Sequence, residues 1–360
     1  MNKLPVYPGK VVQGLRPMHF TGNAREAISC GRGPWFLVAM ALVLLWTGTA
    51  TAQTCITADE LDAPTRTGLT AAGQQFFDWT AKGDVATLRQ NAIPSLASDF
   101  AGVEGAIKES QSNFAGAQAK ARPPFLLKAE GTAPLARAEF LCGVFGRSGQ
   151  TANSAVFVIP NLPPGDYGIV ILDVAAKTPS TLSLVLQKLG NDWKLGGFYS
   201  RPSQVSGHDG AWFRDQARAF KKKGENRNAW LYYVKSRELL APVPFMSTLE
   251  TDKLYDEMQT VQPPDTPSTE TPVEIAGAGK VYRVTSIFPV GVGDDLDLVV
   301  KYQCPSVANT AQTYQDNVAA IHALVAKYPE YRNGFTAIIA RAVEPSGKDY
   351  GTMLATKDIK

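Results

Sequence analysis

The sequence predicts an α+β protein: helices first, then a run of antiparallel strands, then a helical hairpin and a small ββαββ module. Three observations predict it. Apolar residues recur at helical spacing before residue 114 and switch to the alternating period of strands between Phe125 and Arg201. The helical period returns from Asp209 to Val261, and the Pro- and Thr-rich run 262–272 then separates it from a second set of strands.

In the first helix, 69–81, Leu69, Ala72, Phe76 and Trp79 share a side. Gly83 stops it, and Asp84 is an N-cap for a short helix through Ala92. Pro94 breaks that helix, and a third is expected over 98–114. Strands follow at 125–130, 137–145, 154–159, 168–174, 181–189 and 193–201, with turn residues at 161–166, 177–179 and 190–192 between the later ones. In the strand 181–189, Leu182, Leu184 and Leu186 alternate with Thr181, Ser183 and Gln187, which predicts one buried and one wetter face. Ile169, Val170, Ile171 and Leu172 are apolar on both faces. That strand is therefore central and covered twice, the second cover being a helix, another domain or another subunit.

Trp212, Gln216, Ala219 and Phe220 mark a helix ending in Lys221-Lys222-Lys223-Gly224, whose cations favour a helix C-terminus. A second helix runs over 226–240 and a third over 249–261. Trp212, Phe220, Trp230 and Tyr233 are too much aromatic surface for a lone helix pair to leave wet. The expected organisation is a helix–sheet domain at 53–205, a hairpin region at 209–261 packed on it, a cleavable linker at 262–279 and a separable module at 280–360. Within that module, 281–289, 296–303, 336–342 and 350–356 read as strands and 313–328 as a helix.

Helices followed by an antiparallel sheet, ending in Leu-Gly-Asn-Asp-Trp-Lys-Leu-Gly-Gly-Phe-Tyr-Ser-Arg-Pro at 189–202, resemble the nuclear transport factor 2-like (cystatin-like cone) superfamily. The segment Ile-Pro-Asn-Leu-Pro-Pro-Gly-Asp-Tyr at 159–167, with the apolar strand after it, resembles small exported bacterial members of unknown function. The resemblance covers residues 66–202. It implies helices packed into a curved sheet to form a cone, often around a pocket. Some relatives use pocket carboxylates or tyrosines for proton transfer, which makes Asp78, Asp173, Trp193 and Tyr199 the candidate pocket residues. Asp173 is in phase with Ile169 and Ile171 and either lines such a pocket or marks a strand end. The spacing of Ala217, Phe220, Gly224, Ala229, Tyr233, Ser236 and Pro242 resembles one tetratricopeptide-type helical hairpin at 211–242.

Arg25 and Arg32, the apolar stretch 35–46, and Ala50 and Ala52 have the three parts of a secretory signal with an Ala-x-Ala site. The stretch is short of the roughly 20 apolar residues a membrane span needs. Residues 1–52 are therefore expected to be a signal peptide cleaved between Ala52 and Gln53, with a periplasmic or secreted product and no stable span. Lys3, Lys10, Arg16, Arg25 and Arg32 against Glu26 put four positive charges in that segment; the whole chain carries +3, so the remainder is near −1. That balance removes the electrostatic motive for nucleic acid. Cys55, Cys142 and Cys304 lie beyond the site. A bridge between Cys55 and Cys142 would pin the new N-terminus to a sheet, leaving Cys304 as an odd, buried thiol.

No residue set predicts catalysis, a metal site or a cofactor. His208 precedes Asp209, which is better explained as the N-cap of the helix at Trp212, and His322 sits mid-helix. Asp294, Asp295 and Asp297 lack the carbonyl and Glu positions of a calcium loop and read as a solvated turn. The sequence thus favours a non-enzymatic envelope protein that binds a protein or envelope component, a homodimer being compatible with this. The alternatives are a small-molecule carrier or enzyme using the cone pocket, and a structural assembly module.

Overall fold

A computed structural model describes residues 53–359. The expected signal peptide, with Ala52, lies outside the described residues; Gln53 is the first residue of strand β1, Gln53–Ile56. Helix α1, Ala63–Lys82, starts one and a half turns earlier than its apolar pattern suggests. Asp62 caps it by accepting from the Thr65 amide at 2.7 Å, and Pro64 occupies the first turn, where no amide donor is needed. Gly83 closes it in the left-handed conformation, φ 69°. Asp84 accepts from the Thr87 amide at 3.1 Å to start α2, Val85–Gln90. Pro94 opens a separate short turn, α3 (Pro94–Ala97), before α4, Ala101–Phe114.

The strands that follow form two sheets, where the resemblance implies one. β2 (Gln118–Ala121), β3 (Phe125–Ala129), β6 (Gly165–Ala175), β7 (Ser180–Leu189) and β8 (Asp192–Pro202) join β1 in an antiparallel sheet ordered β1-β3-β6-β7-β8, with β2 on the far end of β6. The long hairpin β4 (Leu135–Gly146) and β5 (Gly149–Leu162) leaves that sheet and pairs with β11, Met246–Thr248. The reason lies in β6, which is apolar on both faces. Val170, Leu172 and Val174 face α1 and α4, burying against Phe76, Phe77, Ile107 and Phe114. Ile169 and Ile171 face the other way, against Phe140, Phe157 and Ile159 of the β4–β5 hairpin. The second cover of the central strand is thus the chain's own hairpin. Cys55 and Cys142 are joined across this second core, with their Cα atoms 5.1 Å apart.

After the small ribbon β9 (Gln204–Val205) and β10 (His208–Asp209) come α5 (Gly210–Lys222), α6 (Asn226–Leu240) and α7 (Leu249–Gln259). Gly210 and Ser236 let α5 and α6 approach closely: Ser236 Oγ donates to the Gly210 carbonyl at 2.7 Å. The last sheet runs β12 (Val273–Gly277), β13 (Lys280–Val292), β14 (Asp295–Gln303), β15 (Ala337–Val343) and β16 (Asp349–Ala355) in that order. β14 and β15 are parallel, connected through α8 (Thr310–Lys327) and α9 (Tyr331–Gly334). β12 falls inside the segment expected as linker; only its Ile275 is buried, so a short edge strand left almost no pattern to read.

The packing of the hairpin differs from the expectation. Phe213, Phe220 and Tyr232 share one core with Tyr331, Phe335 and Ile338 of the last module, and the Tyr232 hydroxyl donates to the Gly334 carbonyl at 2.6 Å. The hairpin also touches the first domain, where Arg201 donates to the Ala241 carbonyl at 3.1 Å and β11 joins β5. The module is therefore not a loose appendage. Nor is the linker a free spacer: Pro263 is buried, and Asp265 pairs with Arg227 and accepts from the Tyr328 hydroxyl at 2.6 Å. The Arg227 guanidinium lies 3.8 Å over the Tyr328 ring.

Candidate functional site

The space between the helices and the first sheet is filled by apolar side chains. Leu69, Leu88, Val103 and Ile107 from the helices meet Leu182, Leu184, Leu186 and Leu195 of the sheet, and all eight are essentially inaccessible to solvent. Two glycines make this approach possible. A Cβ at Gly73 would come within 2.5 Å of Val170 Cγ1, and one at Gly168 within 2.1 Å of Leu69 Cδ2.

A large depression lies outside this core, where α1 passes the β7–β8 turn. It is an open cleft of about 700 Å³ with Asp78 and Trp193 both in its wall. Tyr199 and Asp173 are elsewhere. Tyr199 is on the opposite face of the sheet, its ring 5.5 Å from Phe245. Asp173 is at the surface, where its Oδ2 accepts from Arg122 Nε at 3.0 Å and its Oδ1 from Arg122 Nη2 at 2.7 Å. The four candidates therefore do not converge: the strand 165–175 turns its odd-numbered side chains away from the helices, and with them Asp173.

Each wall has a structural origin. On α1 the buried face is Leu69, Gly73, Phe76, Phe77 and Thr80. Gly68, Ala72, Gln75 and Trp79 form a second stripe at helical spacing beside it, and this stripe is the cleft floor. Trp79 is fixed by an edge contact with Phe76 at 5.2 Å. Opposite, Trp193, the second residue of β8, stands across from Lys188, whose Nζ sits 5.0 Å from the indole centroid and donates to the Asn191 carbonyl at 2.6 Å. Gln74 Nε2 donates to Asp78 Oδ1 at 3.0 Å, and Lys194 Nζ to Asn91 Oδ1 at 3.0 Å, which orients the polar rim. Gln75, Asn91 and Lys194 were not singled out in the sequence, and Trp79 was read only as part of the apolar face of its helix. For Gln75 and Trp79 the small-residue stripe on α1 was the available signal, hidden because Ala72 and Trp79 also fit the apolar face; Asn91 and Lys194 carried none.

The other features weighed in the sequence have structural roles. His208 stacks flat on Trp212 at 3.6 Å, while Asp209 caps α5 by accepting from the Trp212 amide at 2.8 Å. His322 is exposed. Asp297 is not part of a solvated turn: it is 2% exposed and accepts from the Ala337 amide at 3.0 Å, tying β14 to the start of β15. Burial pushes the Asp297 carboxyl up, and likewise that of Glu330 beside Asn228. Burial also raises the Cys304 thiol. No three His, Cys, Asp or Glu side chains converge among the described residues. Comparisons with protein-family models, curated proteins and solved structures give no match to this chain.

Proposed function

We propose that this is an exported, non-catalytic protein that binds an envelope component at the rim cleft between α1 and the β7–β8 turn. The observation that supports it is the filled helix–sheet core: Leu69, Phe76, Ile107 and Leu184 occupy the space a cone pocket would need, whereas the cleft on the α1 rim is open to a ligand. On this reading residues 66–202 are a nuclear transport factor 2-like domain whose interior is closed, the 211–242 pair is a single tetratricopeptide-like hairpin, and residues 1–52 are removed on export. The bridge between Cys55 and Cys142 suits an oxidising compartment. Among the described residues no helix is long and apolar enough to cross a membrane.

A second reading, an enzyme using the same cleft, is favoured by one observation: two carboxylates, Asp78 and Asp192, stand in its wall. In-cell photo-crosslinking tests the binding reading. A photoreactive residue at Gln75, in the cleft, is expected to capture an envelope component, and one at the exposed Tyr314 of the last module is not. Equal or absent capture from both positions overturns it.

A further inference from the structure

We propose that the ligand of this cleft is a sugar chain; the inference rests on the binding reading above and names its ligand class. A pyranose presents apolar C–H faces and a rim of hydroxyls. It is therefore held by flat aromatic surface together with planar groups that donate and accept hydrogen bonds in pairs. The cleft offers both. The half-buried rings of Trp79 and Trp193 stand in one depression with the side-chain amides of Gln74, Gln75 and Asn191, while the Asn91 amide is taken up by Thr87 and Lys194. Tryptophan suits such a place because its body is apolar and its N–H remains available to a polar ligand.

Charge narrows the class. The wall carries Asp78 and Asp192 against Lys194, with Lys188 held over Trp193. Asp78 is engaged by Gln74 and Lys194 by Asn91, so no cluster of one sign faces the opening. A phosphate-rich or strongly cationic ligand finds no complementary field there, whereas a polyhydroxylated chain needs none.

Gly68 supplies an independent observation. It lies inside α1, where glycine is less favourable than alanine because it loses more backbone freedom on folding. Packing does not require it, because a Cβ there would meet only Trp193 Nε1, at an ordinary 3.8 Å. This contrasts with Gly73 on the same helix, which the Val170 contact forces. What the missing side chain at 68 does is leave the floor open beneath the Trp193 indole.

Two sources share this chemistry: the glycan of the cell wall and a neutral extracellular glucan. Calorimetry and tryptophan fluorescence are measured on the exported chain with muramidase-released peptidoglycan fragments and, separately, with cellohexaose. Saturable binding to either, weakened about tenfold or more by Trp193→Ala and by Gly68→Leu, supports the proposal, and the probe that binds identifies the source. Gln75→Ala serves as a third variant on an exposed position that folding does not need, and it too is expected to weaken binding. No binding of either probe at about 1 mM overturns the sugar assignment, as does binding that all three variants leave unchanged. Capture from Gln75 in cells without sugar binding defeats this inference and leaves the binding reading standing; loss of both defeats both.

Discussion

Replacing Cys55 with alanine isolates the contribution of the disulfide. Cys55 is half-buried on β1, whereas Cys142 is fully buried among Phe140, Phe157 and Ile171. The variant therefore leaves a buried free thiol, which packs as a small apolar group, and puts no hydroxyl into the core. The bridge spans 87 residues, and the chain-entropy account values closure of such a loop at about 4.5 kcal/mol. Part of that is recovered when the link is cut, because β1 is an edge strand of four residues paired only to β3 within its sheet and can detach by itself. The expected net loss is about 3 kcal/mol or more, which for a unit of this size lowers Tm by at least about 6 °C. Calorimetric melting of Cys55→Ala, of the parent, and of the parent with reductant decides the matter. Variant and reduced parent are expected to coincide, and those β3 amides that face β1 rather than β6 to lose exchange protection in both. A variant that melts within about 2 °C of the bridged parent, with thiol titration showing Cys142 free, refutes the reasoning.

Limited proteolysis should cut first at the exposed residues 269–271 of the linker, yet the two pieces should stay together on gel filtration, because the core from Phe213 to Ile359 spans the cut. Separation of the pieces without denaturant would show that core to be weaker than its composition implies. Gly168→Ala forces a methyl against Leu69 and is expected to destabilise by about 1–3 kcal/mol in urea melts; an unchanged midpoint would mean α1 shifts freely on β6. Asp297 has its folded pKa raised above the ordinary 3.8 by burial, so the native state holds its proton more tightly than the unfolded chain does. Its contribution to stability is therefore fullest below the ordinary value and falls as pH rises through the displaced range. Asp297→Asn keeps an acceptor for the Ala337 amide and should gain on the parent as pH rises from acid toward neutral in parallel urea melts. A gap that shrinks over that range would reverse the sign.

Much of the fold was legible because local signals and tertiary packing agree. Asp84, Asp209 and Gly83 perform the capping that their types announce, and α6 starts at Asn226 and ends at Leu240 as its spacing predicts. What was not legible depends on choices between faces. β4 and β5 alternate as strands in either a single sheet or a second layer, and only the double-sided burial of Ile169 to Leu172 requires the second layer. The hairpin's aromatic face demanded a partner without naming it, and the partner lies a hundred residues downstream, at Tyr331 and Phe335. Asp173 shows the same ambiguity at the scale of one side chain: correct phase with Ile171 placed it on a face, but the sequence does not say which face meets the helices.

The layering also bears on where this molecule can act. Helices cover one face of the first sheet and the β4–β5 hairpin covers the other, each with a close-packed core, so neither face is free to receive a ligand. A ligand of this domain would therefore have to sit at an edge or a rim. Of these, the outer surface of β4 exposes Leu141 and Val144, 56% and 65% accessible, but these are single aliphatic groups in a pattern common on any protein surface. The α1 rim differs in kind. It combines two indoles, amides already oriented by hydrogen bonds to neighbours, and a glycine that its helix has no packing reason to keep. Costs of that sort persist in a folded chain where they serve a contact the chain does not itself contain, which is the role the proposed sugar site gives to this rim.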